Sequence, residues 1–276
     1  MPHHSAMTTN LLDKISGVSL SIYQKIIRIY EEEKPNLKFR GFSAASIDFF
    51  DDYPVEAIGK WNQANKDWYD DSKKEIFREF LKPEFEKLIC DVTNLISKLD
   101  PGIELESKEN IGQLTTQWKG VIPHYWAAVH TSNKDKRTDI QFFVNLCALG
   151  IRVGIYTGEY DNDRRVWQSF IRRLSKNKEE VFQVVKELES KDYIFINTKD
   201  IHYAQKSDGI APIINDAQEM YVHVFEQSEF DIIFKIGKEK MTGVSLIEEI
   251  LKCFDDTREL YEILQPNSFN KQRSLI

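Results

Sequence analysis

The residues with the clearest potential for chemistry lie in a basic stretch at positions 164–178, with the sequence RRVWQSFIRRLSKNK. It holds six basic residues and no carboxylate, although the whole chain has a net charge of −7. At about 100° per residue its apolar side chains fall on one face of a helix and its basic ones on the other. Arginine binds phosphate through planar paired donors and lysine through a mobile charge. A solvated surface helix is the alternative; the candidate phosphate contacts are Arg164, Arg165, Arg172, Arg173 and Lys176.

A second set of candidates combines aromatic and basic side chains between positions 118 and 167. Aromatic rings stack on bases while neighbouring basic groups hold phosphates. Because strand residues alternate between faces, at most one of Tyr125 and Trp126 belongs to the core. A place in the core is the alternative for most of these rings. The base-stacking candidates are Tyr125, Trp126, Tyr156 and Tyr160, and a polar loop adds the phosphate contacts Lys134, Lys136 and Arg137.

Catalytic signatures are missing from the sequence. It has no GxSxG, GxGxxG or GxxxxGK[ST] motif and no histidine spacing typical of a metal site. A metal-dependent nuclease needs paired carboxylates and a lysine on adjacent strands. The E-x-K spacing of Glu189 and Lys191 falls at a predicted helix end, and Asp139 and Asp231 are isolated. We predict no catalytic residue, no cofactor and no metal, with a cryptic metal-dependent nuclease or a metal site assembled by folding as the alternatives.

The composition predicts a globular chain that does not attract nucleic acid by bulk charge. Of 276 residues, 41% are hydrophobic and 29% are charged, and the acidic balance still allows one local basic surface. Cys90, Cys147 and Cys253 are far apart and flanked by apolar residues, which predicts buried thiols in a reducing cytoplasm. Since no apolar run reaches about 18 residues, we predict no membrane span.

The first half of the chain is predicted to be helical, because apolar residues recur there at steps of three and four. Trp68 and Phe80 are predicted to point inward, and Pro83 to interrupt the helix that contains it. The predicted helices cover 11–30, a short segment capped by Ser43, a segment beginning at Pro54, and 66–99.

The middle of the chain is predicted to form a sheet, because short segments rich in β-branched and aromatic residues alternate with turn-forming residues. Ala148, Leu149 and Gly150 are the predicted turn of a hairpin. The predicted strands cover 113–119, 125–130, 140–146, 151–156, 193–197 and 230–236, and the helices among and after them cover 164–178, 178–190, 215–227 and 244–264.

Runs of helices around clustered strands indicate an α+β fold. We expect a helical N-terminal half packed on a central, mostly antiparallel sheet, with further helices toward the C-terminus. Residues 10–264 are predicted to form one recognition domain. Residues 1–9 are expected to be an added leader and disordered start, and residues 265–276 a flexible tail or linker.

Two parts of the chain resemble known families. Residues 118–120 (WKG), 123–128 (PHYWAA), 138–144 (TDIQFFV) and 150–156 (GIRVGIY) resemble the N-terminal DNA-recognition modules of McrB-type modification-dependent restriction proteins, in which the module precedes an AAA+ GTPase. Residues 42–100, with IDFF at 47–50 and NKDWY at 65–69, are similar to an overlapping and widespread uncharacterised bacterial domain family.

The McrB-type resemblance implies a DNA-recognition module of a restriction or phage-defence system, with the motor and the nuclease elsewhere. Such modules read a modified base by flipping it into an aromatic pocket. The partners implied are DNA, an AAA+ motor domain or subunit, and a nuclease subunit. Our leading hypothesis is therefore non-catalytic DNA binding, and a protein–protein interaction module of a multi-subunit defence complex is the alternative.

Overall fold

The computed structural model describes residues 22–53, 67–99, 111, 114, 123–129, 141–157, 176–197, 213–214 and 230–264. In this part of the chain six strands form one sheet, and every pair of neighbouring strands is antiparallel. Helices lie before, between and after the strands. The predicted α+β fold with a mostly antiparallel sheet is confirmed.

The sheet has the strand order β1-β2-β3-β6-β4-β5. Ala148 and Leu149 form the turn between β2 and β3, as predicted. Five predicted strands are confirmed to within a residue at each end, whereas β5 was not predicted and most of 113–119 lies outside the described residues. The strands are β1 (His124–Val129), β2 (Gln141–Cys147), β3 (Gly150–Thr157), β4 (Ile194–Asn197), β5 (Ile213–Ile214) and β6 (Phe230–Ile236).

The described helices agree with the predicted ones except in the stretch predicted for 66–99. Ser43 caps a short helix through its hydroxyl, as predicted, but the predicted stretch is interrupted at Tyr69 and Asp70, and Asp70 is the N-cap of the helix that follows. The predictions for 1–9, 215–227, 265–276, the helix at Pro54 and most of 164–178 lie outside the described residues. The helices are α1 (Ile22–Glu33), α2 (Ala44–Ile47), α3 (Asp71–Ile76), α4 (Lys82–Leu99), α5 (Lys178–Ser190) and α6 (Ser245–Leu264).

A π-helical turn, Phe77–Leu81, joins α3 to α4. It explains why two predictions are wrong: the interruption of the helix at Pro83 and the inward position of Phe80. The amide of Lys82 donates to the carbonyl of Phe77, five residues earlier. Pro83 follows directly and lies inside α4, because the wider turn accommodates a residue that lacks an N–H and crowds the preceding turn. The extra residue also rotates the helix face. Leu81 is therefore buried, and Phe80, predicted to point inward, is 44% exposed.

The described helices pack on one face of the sheet, which we call the inner face. Phe142 of β2 meets Phe254 of α6 with ring centres 5.2 Å apart, and Tyr125 of β1 meets Phe85 of α4 at 4.7 Å. The apolar side of α5, including Val185, belongs to the same buried cluster. Burial of each such side chain contributes about 1.5–3 kcal/mol. This packing determines which residues of each strand remain on the opposite face.

Two carboxylates of α4 fasten the extended segment that leads into α2. Asp91 is 4% exposed, and its Oδ2 accepts the amides of Lys38 and Phe39, each at 2.7 Å. Two helical turns earlier in α4, Oε2 of Glu84 accepts the amide of Ser43 at 3.0 Å. Because both carboxylates satisfy backbone donors, they have structural roles.

Candidate nucleic-acid interface

The face of the sheet opposite the helices, here called the outer face, carries the residues of functional interest. Side chains alternate along a strand, so the neighbours of inner-face residues point to the outer face. Tyr125 lies on the inner face, and Trp126 therefore lies on the outer face. The prediction that at most one of these two rings belongs to the core is confirmed, since Tyr125 is buried and Trp126 is only half-buried.

Four outer-face residues form one row across the strands, here called the polar row. Trp126 of β1 is paired with Asn145 of β2, Asn145 with Arg152 of β3, and Arg152 with Lys235 of β6. Directly paired residues point to the same face with their Cβ atoms roughly 4.5–5.5 Å apart. Asn145 is buried, Trp126 and Arg152 are half-buried, and Lys235 is exposed. The row thus combines an indole ring, an amide and two cations.

Asn145 orients the guanidinium of Arg152. Nη2 of Arg152 donates to Oδ1 of Asn145 at 3.1 Å, and Asn145 itself is 6% exposed. The Nε atom of Arg152 is buried and has no hydrogen-bond partner among the described residues. A buried donor without an acceptor costs about 1–3 kcal/mol, and more when it carries charge. Arg152 is therefore held in place but incompletely satisfied by the protein.

Tyr156 lies on the outer face of β3, four residues beyond Arg152 and roughly 13 Å along the strand. It is half-buried and packs against Phe143 and Ile233. This small cluster consists of strand residues, whereas the inner cluster draws on both strands and helices. Trp126 lies on β1, two strands away from β3. The Cα atoms of Trp126 and Tyr156 are therefore roughly 16 Å apart, and the two rings cannot stack on the same base.

Tyr125 does not fit the base-stacking role predicted for it. It is 2% exposed, and its ring contacts Phe77 at 5.2 Å and Phe85 at 4.7 Å between ring centres. Burial also raises the pKa of its hydroxyl. We therefore reassign Tyr125 to the core, because a ring enclosed by two other rings has no free face for a base.

One end of the sheet connects the outer face to the predicted basic segments. β1 ends at Val129, β2 begins at Gln141 and β3 ends at Thr157, and the antiparallel registers put these three termini at the same end. Tyr156 lies at this end. The chain leaves it toward the segment 134–137 after β1 and toward the segment 164–176 after β3.

Most of the predicted phosphate contacts lie outside the described residues. Lys176 is described and exposed, just before the N-cap of α5. Lys134, Lys136 and Arg137 belong to the segment between β1 and β2 in the sequence and lie outside the described residues. The remaining predicted contacts and stacking residue outside the described ranges are Arg164, Arg165, Arg172, Arg173 and Tyr160.

Two of the three described cysteines are buried. Cys253 is 2% exposed, and burial raises the pKa of its thiol to about 12, so the reactive thiolate is scarce at neutral pH. Cys147 is also buried, as predicted, whereas Cys90 is only half-buried, which corrects its predicted burial. All three are free thiols.

The lysine of the E-x-K spacing considered for a nuclease, Lys191, forms an ion pair that links elements of the fold. Lys191 follows α5 directly, and its Nζ is 2.7 Å from Oδ1 of Asp256 on α6. The hydroxyl of Tyr193 donates to Oδ2 of the same carboxylate at 3.3 Å. This network joins α5 and β4 to α6. Across the described ranges no group of three His, Cys, Asp or Glu residues is arranged to hold a metal ion.

Comparisons with known proteins add no assignment to this geometry. No protein-family model matches the chain, and no curated protein matches it. None of the helices in the described part of the chain is both long enough and apolar enough to cross a membrane. What the fold and the site define is an α+β protein with an aromatic and cationic row on the sheet face opposite its helices.

Proposed function

We propose that the chain is a non-catalytic DNA-binding module that contacts DNA through the outer face of its sheet. The observation that carries this proposal is the polar row, in which Trp126, Arg152 and Lys235 share one face and the packed helices occupy the other. Rings and cations on one surface are the combination that proteins use to stack on bases and hold phosphates.

The predicted basic segments are the proposed extension of this surface. Lys134, Lys136 and Arg137 follow β1, and the segment 164–176 follows β3, so both are joined to the end of the sheet at which Tyr156 lies. Phosphate contacts made there would supply affinity and orientation but no choice of sequence. Base choice would come from Trp126, Tyr156 or Tyr160.

The place of the module in the cell follows from the McrB-type resemblance. We propose that it belongs to a restriction or phage-defence system in the cytoplasm and reads a modified base. An AAA+ motor domain or subunit and a nuclease subunit would then be its partners. The half-buried rings of Trp126 and Tyr156 support base contact, because a flipped base needs an aromatic surface to replace the stacking that it loses.

A mobility-shift assay with matched charge reversals tests the proposal. One variant reverses Arg165, Arg172 and Lys176 to Glu. The control reverses three exposed lysines of α4, α5 and α6 to Glu, which changes the net charge by the same amount: Lys87, Lys186 and Lys252. The probes are a duplex with methylated cytosine, the unmethylated duplex and the corresponding single strand, each at two salt concentrations.

We expect the first variant to lose binding and the control to retain it, with binding of the wild type falling steeply as salt rises. Equal binding by the first variant and the wild type would overturn the assigned DNA-contacting segment. Plasmid cleavage by the wild type in magnesium would replace the proposal with a nuclease. A partner protein that binds the chain in the absence of DNA, together with no binding to any probe, would favour the interaction module.

A further inference from the structure

We propose that Arg152, Lys235 and Asn145 form a phosphate-binding site on the outer face, which takes one backbone phosphate of a nucleic acid lying across β2, β3 and β6. This inference deepens the proposed function and rests on it. It adds a site inside the sheet to the contacts predicted from the basic segments. The argument depends on the charges and hydrogen bonds around Arg152.

In the described part of the chain, no carboxylate bridges the two cations. Arg152 and Lys235 are directly paired across β3 and β6, and like charges at such positions destabilise a sheet. Among the described residues, neither forms an ion pair within 4.0 Å, although most basic side chains of α1, α3 and α4 do. A bound anion between them would turn the repulsion into two attractions.

The amide of Asn145 makes Arg152 a prepared donor. Asn145 is 6% exposed and accepts from Nη2 at 3.1 Å, which limits the rotation of the guanidinium. Nε is buried without a partner in the described structure, so the protein leaves part of the donor set of Arg152 unused. A guanidinium offers paired donors that match the oxygens of a phosphate, and prior orientation reduces the entropy lost on binding.

The neighbours of Arg152 along β3 add no charge to the site. The residues two positions before and after it on the outer face are Gly150 and Gly154, which have no side chains. Lys235 is exposed and has a flexible side chain that can follow the anion. The indole of Trp126 lies two strands from Arg152 in the same row, which suits a phosphate and a neighbouring base of one strand.

One carboxylate lies near the end of this arrangement. Glu239 follows β6, and its carboxylate is beside Gly237, two residues after Lys235. Its negative charge opposes an anion at the proposed site. Removal of that charge should therefore act in the opposite direction to removal of either cation.

The test measures the affinity and salt dependence of a fluorescently labelled oligonucleotide for the intact chain and for Arg152→Gln, Lys235→Gln and Glu239→Gln. Lys252→Gln is the matched control, because Lys252 is exposed on α6 away from the sheet. We expect roughly tenfold weaker binding for Arg152→Gln and a few-fold weaker binding for Lys235→Gln. Each should lower the slope of log K against log salt by roughly 0.7–0.9, with Glu239→Gln binding more tightly and Lys252→Gln unchanged.

Tripolyphosphate, which has no bases, provides the second probe, measured by the rise in melting temperature of each protein. If the oligonucleotide binds but Lys235→Gln and Arg152→Gln keep the wild-type slope, the phosphate site is overturned and the proposed function stands. If tripolyphosphate stabilises the wild type but not Lys235→Gln, and no oligonucleotide binds, the site takes free polyphosphate and the proposed function fails. Because Lys235 is exposed, its variant keeps the test valid even if Arg152→Gln does not fold.

Discussion

The two faces of the sheet are built from the same strands but carry different side chains. On the inner face Phe142, Val153 and Ile232 are almost fully buried in the cluster that includes the helices. On the outer face, at alternate positions of the same strands, Asn145, Arg152 and Lys235 bring an amide and two cations together. The strand period of two thus puts the larger apolar cluster on one face and the polar row on the other.

The charges of the helical layer sharpen this contrast. α6 alone has six carboxylates and two basic residues over its twenty positions. A polyanion is repelled by such a surface and attracted by one with unpaired cations. The net charge of −7 therefore does not exclude one local basic surface.

The largest expected effect is on the free energy of unfolding, and it should differ between substitutions on the two faces. Phe142→Ala on the inner face should lower the free energy of unfolding by about 3–5 kcal/mol, because the ring is 1% exposed and packs on Phe254. Trp126→Ala on the outer face should cost less stability, because this ring is half-buried, but should weaken oligonucleotide binding. Urea denaturation and fluorescence anisotropy measure the two effects. An equal loss of stability in both variants, with no loss of binding in Trp126→Ala, would contradict the division of roles.

A smaller effect on the free energy of unfolding is expected at Gly154, where the backbone of β3 lies close to that of β6. Gly154 has φ +153°, and a Cβ there would overlap the carbonyl of Ile232 on β6. Gly154→Ala should therefore lower the free energy of unfolding by about 2–3 kcal/mol through strain and loss of the β3–β6 contact. Gly243→Ala is the control, since its nearest contact is Oγ of Ser245 at 3.6 Å, and it should change stability by less than about 0.5 kcal/mol. Equal melting temperatures of the two variants would contradict the strain assigned to Gly154.

The smallest expected effect is a pH dependence in the helical layer. Burial raises the pKa of Asp52, but hydrogen bonds from Lys73 and Trp68 outweigh this and hold it below its ordinary value of 3.8. A lowered folded-state pKa stabilises the protein above the ordinary value, and that stability is lost as the pH falls from about 4 through the folded-state pKa. The carboxylate side chain is 64% exposed, so the contribution at neutral pH is at most about 1 kcal/mol.

Asp52→Asn checks this sign directly. Its melting temperature should be below that of the wild type at pH 7, and the difference should shrink below about pH 4, while oligonucleotide binding is unchanged at pH 7. A difference that grows as the pH falls would show that the sign is wrong. A loss of binding would mean that the helical layer also takes part in the interface.

Local patterns predicted much of the fold because they depend on neighbours in sequence. The strand 230–236 and the helix 178–190 have the predicted bounds, since a period of two and a period of 3.6 are both visible in a single sequence. Phe80 was mispredicted because a π-helical turn shifts the period by one residue, and no local signal except the nearby Pro83 indicates it.

The candidate site was only partly predictable. Trp126 and Tyr156 stand out as aromatic residues in predicted strands, but Asn145 and Lys235 gain meaning only from the register that pairs them with Arg152. Lys235 is 83 positions from Arg152 in the chain, and β4 and β5 intervene between β3 and β6 in sequence. Strand order and register are set by the folded structure as a whole, which periodicity cannot reveal.

Photocrosslinking tests the central claim that DNA meets the outer face most directly. An oligonucleotide containing iododeoxyuridine is irradiated in complex with the intact chain, and the crosslinked peptides are identified by mass spectrometry. We predict crosslinks to peptides of β1 and β3 that contain Trp126 or Tyr156, and their loss in the corresponding alanine variants. Crosslinks confined to α5 and α6 would contradict the account, because they would put the DNA on the helical side of the sheet.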